Sequence, residues 1–113
     1  MNGVRVETKI DLSGLNRRFS STNIQRAQRA LSEKVGSTSN KYIPLDTGAL
    51  KGSMHILKDS VIWGQPYAQK VYYLDDARIR KQKNADAHSH WFEHAKSEHV
   101  KEWQKVVEDQ LNA

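Results

Sequence analysis

The sequence predicts one α+β domain spanning residues 1–113: a small, mainly antiparallel sheet packed against an N-terminal helix and a long C-terminal helix. Three observations carry this expectation. Val4, Val6, Thr8 and Ile10 alternate with Arg5, Glu7 and Lys9, the period of a half-buried strand. Residues 90–111 place apolar side chains at helical spacing. The segments between them show no regular strand–helix–strand alternation, which disfavours a parallel sheet.

Taken in order, "VRVETKIDL" reads as the first strand, and Leu12, Leu15 and Phe19 have the spacing of a short turn or helix after it. Residues 21–39 read as a helix capped by Ser20, Ser21 or Thr22, with Ile24, Ala27, Leu31 and Val35 on one stripe. Gly36 and the polar run after it either end this helix or let it continue toward Tyr42; Pro44 stops it. "DTGAL" follows as a turn. Met54 and Ile56, then Val61 and Trp63, mark two short strands joined at residues 58–60. Pro66 suits the first position of a short helix carrying Tyr67, Val71 and Leu74, with a strand as the alternative. Residues 75–89 are polar and unpatterned and read as a mobile loop or arm. The last helix puts Phe92, Ala95 or His99, Trp103, Val106, Val107 and Leu111 on its apolar face.

Hydrophobic residues make up 37% of the chain and the mean hydropathy is −0.79. Either the core is small or part of the chain orders only against partners. Three Trp and four Tyr in patterned positions argue against wholesale disorder. With no long apolar run and no leader pattern at the N-terminus, the expected product is soluble and cytoplasmic, without a membrane partner. Cysteine is absent, which excludes disulfides and thiolate chemistry. The net charge of +5 favours polyanions or acidic protein surfaces at long range.

Several motifs invite a chemical reading. "DTGA", beginning at Asp46, matches the local signature of an aspartic protease half-site. Such a protease needs its Asp on a loop fed by a strand, a glycine-rich flap and a second apolar strand late in the chain. Here a helical segment precedes the motif, Gly52 stands alone, and the chain closes on a helix. Asp46, Thr47 and Gly48 therefore read as a turn, in which side-chain oxygens bond nearby N–H groups and Gly48 supplies a positive φ, or equally as the cap of a helical turn starting at Gly48 or Ala49. The homodimeric protease remains the reading furthest from the rest of the chain. His90 and His94 have metal-ligand spacing on a helix, yet "HWFEH" is not the His-Glu-x-x-His of a zinc peptidase, and surface histidines are the commoner outcome. Arg78, Arg80, Lys81 and Lys83 form the one basic run; without interleaved aromatics a solvated loop is the plain reading, with phosphate or acidic-protein contact as the alternative. Trp63, Tyr67, Tyr72 and Tyr73 are many large aromatics for one short stretch, and either fill a core or meet a partner.

Three stretches taken together carry a resemblance. "YIPLDTGALKGSMHI", "VIWGQPYAQKVYY" and "WFEHAKSEHVKEW", in this order and spacing, resemble a family of small bacteriophage minor capsid proteins, the neck or tail-completion proteins of long-tailed phages. The resemblance runs from Tyr42 to the C-terminus. It implies a structural virion protein without catalysis or cofactor, assembled in the bacterial cytoplasm into a homo-oligomeric ring of the head–tail connector. Its implied partners are head-closure or adaptor proteins, tail-terminator proteins and DNA in the lumen. Asp46, Thr47, Gly48, Leu50 and Ser53 match the family's turn and packing positions; Trp63, Tyr67, Tyr72, Tyr73, Arg78, Arg80 and Lys81 are the expected assembly residues. The sequence departs from the family pattern at "DDARIRKQKNADAHS", where a glycine- or proline-containing loop is usual. The competing function is a basic nucleic-acid-binding accessory protein.

Overall fold

A computed structural model describes residues 3–10, 19–44, 49–79, 81 and 84–112. Among them, three strands and four α-helices run in the order β1 (Val4–Glu7), α1 (Ser21–Asn40), α2 (Ala49–Gly52), β2 (Met54–Ile56), β3 (Ser60–Trp63), α3 (Ala68–Tyr72) and α4 (Trp91–Leu111). The strands form one antiparallel sheet with β3 in the centre, Val6 opposite Val61 and Met54 opposite Trp63. This is the α+β architecture that the sequence predicts.

The first strand is shorter than the alternation suggests. Its ladder ends with the Thr8 N–H donating to the Asp59 carbonyl at 2.8 Å. Beyond that point a side chain of α1 replaces the ladder: the Gln28 amide donates to the Thr8 carbonyl at 2.6 Å and accepts from the Ile10 N–H at 3.0 Å. The Thr8 and Ser32 hydroxyls also meet at 2.6 Å in a buried pair. Backbone groups that a strand would pair are thus satisfied by the helix lying across them. The turn or helix expected at Leu12 and Leu15 lies outside the described residues.

Helix α1 is capped by Ser20, whose hydroxyl accepts from the Asn23 N–H at 3.1 Å. It runs through Gly36, which is there for packing: a Cβ would come 2.9 Å from the Met54 sulfur and 3.5 Å from Ile56. Edge strand β2 crosses the helix at this glycine, so the residue that weakens the helical pattern is the one that admits the sheet.

Helix α4 is 21 residues long and makes its most extensive contact with α1. It begins at Trp91, one residue later than the spacing suggests, because His90 adopts the left-handed conformation at φ 48°, ψ 50°. That turn directs Trp91 inward. Trp63 and Trp91 are both fully buried and meet edge to face, 5.7 Å between centroids, with Tyr72 against Trp91 at 4.6 Å. Val4, Val6, Val35, Ile43, Leu50 and Val61 surround them. Helix α3 starts at Ala68, so Pro66 stands before it rather than at its first position; Gln65 instead closes a turn, its carbonyl accepting from the Ala68 N–H at 2.9 Å.

The segment expected as a loop opens on a 3-10 turn, Asp76–Arg78. Its described part is tied to the body at several points. Asn84 donates to the carbonyls of Lys41 and Ile43, both at 2.9 Å, and the His88 N–H donates to the Tyr42 carbonyl at 2.8 Å. Ile79, Ala87 and Ser89 are buried.

Candidate interaction surface

The aromatic group singled out in the sequence divides in two. Trp63 and Tyr72 are 0% and 2% exposed and serve the core, whereas Tyr67 and Tyr73 are 39% and 64% exposed. Alternation in β3 turns Trp63 inward beside Val61, and its indole N–H donates to Asn40 at 2.8 Å. On α3, Tyr72 points into the core while its hydroxyl donates to Glu93 at the start of α4. Burial, and then the bond to Glu93, push the Tyr72 hydroxyl well above the usual phenol range.

Tyr67 and Tyr73 flank a shallow, mostly apolar groove of about 800 Å³, completed by Gln65, Pro66, Gln69 and Lys70. Five residues of α3 separate the two tyrosines, and the turn at Pro66 sets Tyr67 at the helix N-cap, so both rings reach solvent on the same side of the helix. Tyr73 also meets the His90 ring at 5.3 Å. Arg78 and Lys81 are exposed, and Lys81 pairs with Asp76 at 3.5 Å. Arg80 and Lys83 lie outside the described residues, as do Asp46, Thr47 and Gly48. Of the turn motif's companions, Leu50 is buried, and Ser53 closes α2 by donating its hydroxyl to the Leu50 carbonyl at 2.7 Å. The Ser53 carbonyl then accepts from the Gly64 N–H at 3.1 Å, starting the hairpin.

His90 and His94 turn to different neighbours because His90 leaves the helical conformation. His90 packs on Tyr72 and Tyr73, while His94 stacks on His88 at 3.9 Å with ring planes 12° apart. Among the described residues no group of three or more His, Cys, Asp or Glu side chains gathers as a metal site. His94 belongs to a polar network where the turn after α1 and the described part of residues 75–89 meet α4. His88 Nδ1 lies 3.0 Å from Asp76, and the Tyr42 hydroxyl donates to Glu98 at 3.0 Å and lies 2.8 Å from His99 Nε2. Burial lowers the His94 pKa, with His88 and His99 adding to the effect against the carboxylates of Glu98 and Asp76. Burial works to raise the Asp76 carboxyl, but the Ser89 N–H, His88 and Lys81 together hold it below its ordinary value. Tyr42 is pushed up to about 12 by burial and by its bond to Glu98. The sequence reading weighs His88 among the clustered histidines but misses Asp76, its partner. Asp75 before "DAR" is a capping signal that marks a turn there, its carboxylate accepting from the Ala77 N–H at 3.3 Å.

Two exposed tyrosines and a shallow groove thus lie over a packed aromatic core. No helix among the described residues is long and apolar enough to cross a membrane. No curated protein and no solved structure matches the chain. A family model described as "Minor capsid protein" matches residues 6–110, nearly the whole sequence. The chain belongs to this family of bacteriophage minor capsid proteins, and its role is that of a structural component of the virion.

Proposed function

We propose that this chain is a non-catalytic subunit of the phage head–tail connector, assembling as a ring of identical copies between the DNA-filled head and the tail. The observation that carries the reading is the exposed pair Tyr67 and Tyr73 beside Pro66, an aromatic groove on a minor capsid protein whose core is already filled by Trp63, Tyr72 and Trp91. Tyrosines with an apolar body and a polar tip suit subunit contacts. Exposed Arg78 and Lys81 lie beyond α3 and suit an acidic neighbouring ring or the DNA path. Head-closure, adaptor and tail-terminator proteins are the expected neighbours.

Affinity purification of the tagged chain from phage-producing cells tests this, with a Tyr67→Ala/Tyr73→Ala chain as control. Recovery of portal, head-closure or tail proteins by the wild type and their loss with the variant support the connector. Recovery of nucleic acid alone, falling steeply with salt, would favour the basic accessory protein instead.

A further inference from the structure

Among the described residues, the large apolar side chains standing in solvent are Leu57, Tyr67 and Tyr73. They occupy two places. Leu57 sits at the turn between β2 and β3; Tyr67 and Tyr73 line the groove that follows β3. The four residues of β3 separate the two places, about 13 Å of extended chain at ~3.3 Å per residue. One end of the sheet therefore carries a knob and the other a groove.

We propose that the β2–β3 turn of one copy docks into the α3 groove of the next, seating Leu57 between Tyr67 and Tyr73 with Asp59 facing Lys70. This rests on the self-assembly reading above and names its contact. The turn is tied down by its neighbours, Ser32 of α1 and Thr8 after β1. The Lys58 carbonyl accepts from the Ser32 hydroxyl at 3.1 Å, and the Asp59 carbonyl accepts from the Thr8 N–H at 2.8 Å. Leu57 is thus presented on a fixed turn, which limits the ordering lost on binding. Among the described residues the groove lining holds one cation, Lys70, and no carboxylate. Neither Lys70 nor Asp59 has an ion-pair partner among the described residues. A contact between two different patches of the same chain is heterologous, and it closes into a ring when the rotation per subunit permits. Exposed Lys58 adds a cation to the tip, so its removal strengthens the contact.

The absence of native cysteine allows a direct test. Lys58→Cys chain and Gln69→Cys chain are purified, mixed in equal amounts and joined with a short bismaleimide; Leu57 and both tyrosines stay in place. Docking predicts mixed dimers in excess of either homodimer, lost when Leu57→Asp is added to the Lys58→Cys chain. Lys70→Asp lowers the yield up to about fivefold, the range of an exposed ion pair, and adding Asp59→Lys to the other chain restores it. Homodimers equal to or above the mixed product overturn the docking in favour of a two-fold contact. No cross-link from chains whose wild type sediments as an oligomer overturns the docking and leaves self-assembly standing. No cross-link together with a wild type that is monomeric at every concentration overturns both.

Discussion

The indole N–H of Trp63 donates to the side-chain oxygen of Asn40 at 2.8 Å, joining the central strand to the last residue of α1. Asn40 in turn donates to the Lys51 carbonyl at 3.3 Å, which brings α2 into the same junction. A buried tryptophan usually finds such an acceptor, and an unpaired donor in that position carries its full desolvation penalty. Asn40→Ala is expected to destabilise the fold by about 1–3 kcal/mol, and Asn40→Asp, which keeps an acceptor, by less. Urea denaturation of the three chains checks this; equal midpoints would refute it.

Trp91 stands at the meeting of α3, α4 and the sheet, fully buried against Trp63 and Tyr72. Trp91→Ala is expected to lose about 3–5 kcal/mol, whereas Phe92→Ala, one residue along and only partly buried, loses less. Thermal unfolding followed by near-ultraviolet circular dichroism orders the two variants.

Gly36 should tolerate small additions and refuse large ones. The Met54 sulfur, 2.9 Å from where an alanine methyl would stand, belongs to a flexible side chain and can shift, while Ile56 closes the other side at 3.5 Å. Gly36→Ala is expected within about 1 kcal/mol of wild type, because the helix gains what the contact loses. Gly36→Leu should destabilise by about 1–3 kcal/mol through overpacking. Equal stability of the leucine chain and the wild type would contradict the crossing of β2 over α1.

These residues also show what the sequence could convey. Period-2 and helical spacing report local burial, so α1, α4 and the β2–β3 pair are legible at nearly their observed bounds, while β1 is legible only at its start. Contacts between distant segments leave no period. Gly36 reads as a helix breaker until β2 is placed on it, and the end of β1 is set by Gln28, eighteen residues from Ile10. The division of the aromatic group was likewise hidden: Tyr72 and Tyr73 are neighbours in sequence but 2% and 64% exposed, because the short helix between Pro66 and Leu74 turns one inward and the other out. Leu57 carries no signal of its exposure, for the sequence places it just before the connection at residues 58–60.

Acid should loosen the junction of residues 75–89 with α4. His94 has a folded pKa below its ordinary 6.5, so the unfolded chain takes the proton first; the stability it contributes is present above about pH 6.5 and is lost as pH falls through the lowered folded value. Asp76 follows the same sign at lower pH: its contribution is present above its ordinary 3.8 and is lost as pH falls through its lowered folded value. Melting temperature against pH is therefore expected to be flat near neutrality and to fall in two stages. His94→Gln flattens the first stage and Asp76→Asn the second. Curves that fall in parallel for all three chains would refute the assignment.

The proposed ring contact assigns Tyr67 and Tyr73, 39% and 64% exposed, to association rather than folding. Tyr67→Ser and Tyr73→Ser are expected to leave the unfolding midpoint within about 0.5 kcal/mol of wild type, as for ordinary surface positions, while reducing association. A large loss of stability in either chain would place it in the core.

The measurement that reaches the connector assignment most directly is native mass spectrometry of the complex recovered from phage-producing cells with a tagged copy. A connector ring predicts particles holding several copies of this chain together with portal or tail proteins, and loss of those copies when Tyr67 and Tyr73 are both replaced by serine. Particles holding a single copy, or a multicopy assembly unchanged by that replacement, would contradict it.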